Sequence, residues 1–444
     1  MSEKTGYKPT SGMQSAARRA IKLKEQGKAN GAGTAVGWTR AGQLARGESL
    51  SLSTVKRMYS FFSRHEVDKK GKDWDNAENP SNGKIMWLAW GGDAGFSWSR
   101  KIVEREKNMK KSLELNEFVD KTGIPVATTL LGMSAMDADH PLFVGWPGMH
   151  GNYGANVLTN SCDLLIAIGM RFDDRITGDL STYAKQAKVI HIEIDPSEID
   201  KNVKADAPVV GDAKAALKAL LPLVKKANHS EWRAEFKKYD DEEYDKITKK
   251  DLFHEGNQIK MGEAVALLSD KTKGEAVVVT DVGQHQMITN RYYRFKKRNS
   301  IVTSGGAGTM GFALPAAFGA KVAVPHREVV AVIGDGGFQM TLQELGTIAQ
   351  SGLPVKIIIL NNNFLGMVRQ WQQLFFDNRY SFVELQNPDF ITIAKGFGIE
   401  GHKVSDRSLL SESLDTLLNS DKPYLLEIVC EKEENVFPMV PAGG

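Results

Sequence analysis

The sequence predicts an α/β protein: two mainly parallel, helix-covered sheets behind a small basic helical module. Three observations predict it. Short β-branched runs such as "CDLLIAIGM", "KVIHIEID", "REVVAVIGDGG" and "LPVKIIILNNN" recur between helical or loop stretches, and continuous apolar runs of this length suit strands covered on both faces. The chain has 444 residues, beyond the ~250–300 at which a single core stops growing. Its charge is unevenly divided: residues 1–112 hold 22 Lys and Arg against 11 Asp and Glu, although the whole chain is only +3. Two compositions this different imply separate units.

With 41% hydrophobic and 25% charged residues, the composition is globular and excludes disordered, collagenous and coiled-coil classes. No apolar run approaches the ~18–20 residues of a spanning helix, so a soluble, cytoplasmic chain with no membrane partner is expected. Cys162 and Cys430 stand far apart, which fits a reducing compartment without a disulfide framework.

In the first module, residues 1–30 have the composition of a transit peptide. Glu3 and Glu25 interrupt it and no cleavage pattern follows, so targeting is not expected. Helices are expected at 13–25 and 53–65, the second with a cap signal at Ser53. Residues 68–84 read as a loop, and 85–105 as a buried apolar turn running into a charged helix. Trp38, Trp74, Trp87, Trp90 and Trp98 all lie here. Clustered cations with exposed aromatics would make a nucleic-acid contact. The same residues equally describe a small tryptophan core under a solvated basic surface.

Residues 113–228 follow strand-and-helix grammar. "IPVATTL", "CDLLIAIGM" and "KVIHIEID" end in residues placed at a sheet's carboxyl edge: Thr129, then Gly169 and Arg171, then Glu193 and Asp195. "GWPGMHGNYGAN" is a glycine-rich loop carrying His150, and "RFDDRITG" packs two acids between two arginines. The recurrence of acids and glycines at successive strand ends favours a nucleotide site over turns and surface ion pairs. Residues 229–258 read as a charged linker.

Residues 259–444 carry the sharpest signal. "REVVAVIGDGG" is a buried strand ending at Gly334-Asp335-Gly336, a helix is expected over 340–350, and "LPVKIIILNNN" is a second buried strand ending at Asn362. A right-handed strand–helix–strand crossover makes the two strands parallel and brings Asp335 and Asn362 to one edge. One carboxylate and one amide oxygen, with room for phosphate oxygens, suit Mg²⁺ bound to a diphosphate. Gly306-Ala307-Gly308-Thr309-Met310-Gly311 also matches a dinucleotide fingerprint, which would make the chain an NAD-dependent oxidoreductase. The run before it is short, and Asp335 already belongs to the metal pair.

"TDVGQHQM", "TSGGAGTMGFALPAAFGAKVA", "IGDGGFQMTLQELGTIAQSGLPVKIIILNNNFLGMVRQWQ" and "ENVFPMVPAGG" resemble the carboxyl-terminal domain of the acetolactate synthase catalytic subunits. "GMHGNYGAN", "RFDDRITG" and "IHIEIDPSEIDKNVKAD" resemble their FAD-carrying middle domain. The resemblance covers 113–444 and implies a transferase that uses thiamine diphosphate, Mg²⁺ and FAD to condense pyruvate with a second 2-oxoacid, in branched-chain amino-acid biosynthesis. It implies Asp335, Asn362 and the Phe364 carbonyl as Mg²⁺ ligands. Around thiamine diphosphate it implies Gly283, Gln284, His285, Gly308, Met310, Gly336 and Met367, with Met310 as the apolar prop of the folded cofactor. Trp371 would shape the pocket for the second 2-oxoacid, with Met149, Asp174 and Arg175 reaching in and Arg175 clamping a carboxylate. FAD contacts would be Thr129, Leu130, His150, Gly151, Arg171, Asp173, Glu193 and Asp212. The family opens with a pyrimidine-binding domain whose glutamate protonates the cofactor, and residues 1–112 do not resemble it. The middle domain enters late, within its first helix. The family assembles as dimers or tetramers, so the resemblance implies a homo-oligomer, and the missing domain implies a separate chain that supplies it. A catalytically inert fusion, with nucleic acid as partner of residues 1–112 only, is the alternative.

Overall fold

The computed structural model describes residues 6–440 apart from 30, 72, 77 and 78. The first residues of the transit-like stretch and the closing "PAGG" of the last motif lie outside them. The chain divides into two compact units, 1–111 and 112–444.

The first unit holds α1 (Ser11–Glu25), α2 (Ala35–Ala45), α3 (Leu52–His65), α4 (Asn82–Ala89) and the start of α5 (Gly92–Thr122). Side-chain oxygens of Thr10, Thr34, Ser51 and Ser81 cap the first four by accepting a backbone N–H, the usual remedy for orphan donors. Ser51, not Ser53, caps α3, so that helix starts a residue earlier than the sequence suggests. The apolar stretch expected as a turn is helical in α4, with Ile85, Met86, Trp87 and Ala89 inward. The turn is confined to Gly91 and Gly92, whose positive φ angles of 108° and 66° break the helix. Met13, Leu44, Met58, Phe62 and Trp87 form the core, with Trp74 and Trp90 also buried. Lys24, Lys84, Lys69 and Arg40 lie over the rings of Trp38, Trp74, Trp87 and Trp90 respectively. Trp74, Trp87 and Trp90 are therefore internal and not available for base stacking, while Trp38 and Trp98 are half-buried.

In the second unit β1 (Leu164–Ile168), β2 (Lys188–Glu193) and β3 (Ala207–Val210) form a parallel sheet in that order. The run "IPVATTL" joins no sheet. Among the described residues it makes an isolated parallel bridge, Val126 with Phe143, its backbone pairing with the short 142–145 segment. The larger sheet contains β4 (Val277–Thr280), β5 (Ile301–Thr303), β6 (Val329–Gly334), β7 (Lys356–Asn361), β8 (Glu400–Val404) and β9 (Tyr424–Val429). All are parallel, in the order β5-β4-β6-β7-β9-β8. Alternate residues feed two cores: Val278, Val330, Val332, Ile358 and Leu360 face one side, while Val277, Val279, Ala331, Ile333 and Ile359 face the other. This period of two explains why β6 and β7 read as unbroken apolar text.

The helix expected over 340–350 is divided into Asp335–Met340 and Glu344–Ser351. The charged stretch 229–258 is largely helical rather than extended: Ser230–Glu243 is α-helix, followed by a π turn at Tyr244–Thr248 and a helical turn at Lys249–Leu252. Its Phe236 and Glu243 are buried, so the helix has an inner face that the run of charges hides.

Candidate active site

From β4 the chain moves outward to β5, then returns to place β6 on the opposite side of β4. A crevice opens at the carboxyl ends of strands where direction reverses in this way. The cavity there is lined by Val282–His285 after β4, by 334–337 at the end of β6, and by Leu360, Asn362 and 364–368 at the end of β7. The helices Gln284–Tyr292 and Gly366–Phe375 begin at this cavity, so both present their positive ends to it, a setting that favours a phosphate group.

Gly334 pairs in register with Leu360, which brings Asp335 and the segment 361–363 to the same edge of the sheet. Asp335 and Asn362 both line the cavity and are 2% and 3% exposed. Burial pushes the Asp335 carboxyl up to about 6, against the hydrogen bonds it receives. One of these is from Asn387 Nδ2 to Oδ2, at 2.7 Å. Asn362 turns its Nδ2 to Gln284 Oε1 at 3.3 Å, and its Oδ1 accepts the Phe364 N–H at 3.3 Å. Phe364 lines the same cavity. Among the described residues no three His, Cys, Asp or Glu side chains cluster. The local donor set is thus one carboxylate with amide and carbonyl oxygens, the hard, sparse set that Mg²⁺ takes when phosphates complete its shell.

Gly283, Gln284, His285, Met310, Gly336 and Met367 line the cavity as well. Gly308 is not among the lining residues; its N–H donates to Ser304 O at 3.0 Å and its φ is +64°, so it shapes the loop instead. His285 is buried, its pKa lowered to about 3 by that burial, and its Nε2 lacks a partner. A neutral imidazole with an unpaired nitrogen at the wall of a cavity that suits a diphosphate fits a phosphate oxygen. A Cβ on Gly334 would come within 2.7 Å of the His285 ring, so that glycine is what lets the ring lie against the strand end.

Three contributors were not singled out from sequence. Asp281, fully buried, accepts N–H bonds from Gly311 and Phe312 at 3.0 and 2.9 Å and so anchors the loop bearing Met310. Its place immediately after the β4 run was the available signal. A Cβ at Gly337 would approach Asp281 Oδ2 to 1.8 Å. Asn387 bridges Asp335, Asn361 and Asn363 from an irregular segment without motif. Arg369 is fully buried and donates to the Glu434 carbonyl at 2.6 Å and Asn435 Oδ1 at 2.7 Å.

The tail 434–440 connects this site to the middle part. Gln370 exchanges bonds with the Val436 backbone at 2.8 and 3.0 Å, and the Val440 N–H donates to the Met149 carbonyl at 2.7 Å. The Met149 N–H in turn donates to the Arg175 carbonyl at 2.8 Å. The Arg175 side chain is exposed and pairs with Asp174 at 3.2 Å. Trp371 is half-buried, its ring 4.8 Å from that of Phe375.

The remaining middle-part residues mostly serve their own backbone. Thr129, Asp173 and Asp212 cap the turns that follow them, Arg171 pairs with Asp173 at 2.8 Å, and Glu193 accepts the Ile194 N–H at 2.7 Å. Leu130 packs against the larger core. His150 is buried with an unpartnered Nδ1, its pKa lowered to about 4 by burial and the nearby Arg291 cation. The carbonyls of His150 and Gly151 accept from Arg291 at 2.8 and 3.1 Å. Arg291 also pairs with buried Glu243, which accepts from Asn152 Nδ2 at 3.0 Å.

Residues 281–428 match the family described as "Thiamine pyrophosphate enzyme, C-terminal TPP binding domain", and residues 106–220 match "Thiamine pyrophosphate enzyme, central domain". The chain is 46% identical over 335 residues to the acetolactate synthase isozyme 2 large subunit of Escherichia coli, covering 74% of this chain and 59% of that protein. It is 42% identical over 328 residues to the acetolactate synthase large subunit of Lactococcus lactis, covering 73% of this chain and 56% of the relative. A probable acetolactate synthase large subunit of Methanocaldococcus jannaschii is 44% identical over 347 residues, covering 75% and 56%. The chain thus spans little more than half the length of these relatives.

Proposed function

From the premise that this chain carries the central and C-terminal domains of a thiamine pyrophosphate enzyme and is a homologue of acetolactate synthase large subunits, we propose that it takes part in thiamine-diphosphate-dependent condensation of 2-oxoacids for branched-chain amino-acid synthesis. One observation carries the reading: Asp335, Asn362 and His285, whose buried Nε2 lacks a partner, line one cavity at the switch point of the sheet. Bound there, thiamine diphosphate supplies the electron sink for a decarboxylated 2-oxoacid. The chain's own part is to bind and orient. Asp335, Asn362 and the Phe364 carbonyl hold Mg²⁺, and the two helix N-termini with His285 hold the diphosphate. Met310 and Met367 give the ring system an apolar wall that excludes water. Trp371 and Met149 bound the second substrate, with Arg175 leaving Asp174 to bind its carboxylate.

No acid of this chain is assigned to proton transfer at the cofactor's pyrimidine ring. That half is proposed to come from a pyrimidine-binding domain on a separate chain, in the cytoplasm. Val368, Leu374, Phe375 and Phe376 are 49%, 41%, 45% and 52% exposed, and apolar side chains clustered in this way suit a protein partner. FAD is proposed on a narrower basis, the buried unpartnered Nδ1 of His150; a change in flavin fluorescence on titration tests it.

The test is isothermal titration with thiamine diphosphate and Mg²⁺, with and without an added pyrimidine-binding domain. Mg²⁺-dependent binding is expected, and Asp335→Ala should abolish it. Unchanged affinity in that variant would overturn the metal assignment. Full conversion of pyruvate to acetolactate by the purified chain alone would overturn the division of labour.

A further inference from the structure

We infer that the outward face of α3 binds the phosphate backbone of duplex DNA. α3 buries Val55, Met58 and Phe62 on one side. Lys56, Arg57, Ser60 and Arg64, at helical spacing, are exposed on the other. The helix contains no Asp or Glu, and among the described residues none of these three cations is ion-paired, whereas Arg46, His65 and Lys69 nearby each have a carboxylate partner. Arg57 even lies close enough to buried Arg40 to disfavour its charge. A face that gathers like charges without neutralising them is complementary to a polyanion.

The aromatics decide which polyanion. Single-strand binders stack bases on exposed rings, but here Trp74, Trp87 and Trp90 are buried and their faces are taken by the module's own cations. What remains is electrostatic contact alone, which a duplex backbone satisfies without base exposure. From position 56 to 64 the face runs about 12 Å, a length along which duplex DNA carries about seven phosphates.

The test is fluorescence anisotropy of the full chain with a labelled 20-base-pair duplex of mixed sequence at several salt concentrations, beside a single strand of equal length. With three phosphates neutralised, log affinity should fall against log salt with a slope of about −2.7, or about 40-fold between 50 and 200 mM. Lys56→Glu, Arg57→Glu and Arg64→Glu combined, all exposed, should remove binding while near-ultraviolet circular dichroism of the tryptophan core stays unchanged. Lys56→Arg should retain it. No duplex binding at 50 mM salt, tighter binding of the single strand, or full binding by the folded triple variant would each overturn the inference.

Discussion

At Asp335 the decisive quantity is the cost of keeping a carboxylate in a cavity wall. Its pKa is raised to about 6 by burial, so protons and a cation compete for the same oxygens over an accessible range. The cation needs the ionised form. Mg²⁺ affinity should therefore be flat above about pH 7 and fall about tenfold per unit below about pH 6, measurable by titration calorimetry at several pH values. Asn387→Ala removes a hydrogen bond that favours the charge, and should move the onset of that fall to higher pH. Asp335 and Asn362 were legible in the sequence because a crossover between two buried strands leaves their ends no other place to go. Asn387 was not, since its segment has neither periodicity nor turn chemistry to fix where it folds back.

Among elements, the segment after the middle sheet was the least well read. Its charge suggested a linker, but helix Ser230–Glu243 keeps most of its ionisable residues outward and turns Phe236 and one acid, Glu243, in. Glu243 then meets Arg291 of the following part, both almost wholly buried. A residue pattern of single inward positions in a charged helix gives little signal, whereas β6 and β7, buried on both faces, announce themselves. Removing one partner of such a pair leaves a stranded charge, which typically costs about 3–5 kcal/mol. Glu243→Ala should lower the denaturant midpoint by a corresponding amount, with Arg291 and Glu243 replaced together costing less than the two single losses added. Additive losses would show that the two charges do not cooperate.

For the whole molecule, the division at residue 111 carries its own expectation. A chain beginning at Ser112 should keep Mg²⁺-dependent thiamine diphosphate affinity within about twofold, a difference of roughly 0.4 kcal/mol, when titrated beside the full chain. A large loss would mean that the basic module helps to build the site. The two-unit organisation and the class of both sheets were visible in composition and strand grammar. Packing inside the basic module was not, because tryptophan and lysine text describes a capped core and an exposed surface equally well.

The tail 434–440 changes what kind of object the second unit is. The polypeptide runs from the middle part into the larger sheet and then returns, so that Val440 closes on Met149 after Val436 has fastened to Gln370. The connection is a closed circuit, not a string of beads. A breeder of chimaeras could cut between the two parts in the linear sequence and still find them hooked together at the far end. Any transplanted middle part must therefore match its host at several points, among them the Glu243–Arg291 clasp, the pairing of Asp139 with Arg294 and Lys296, and the carbonyl of residue 149.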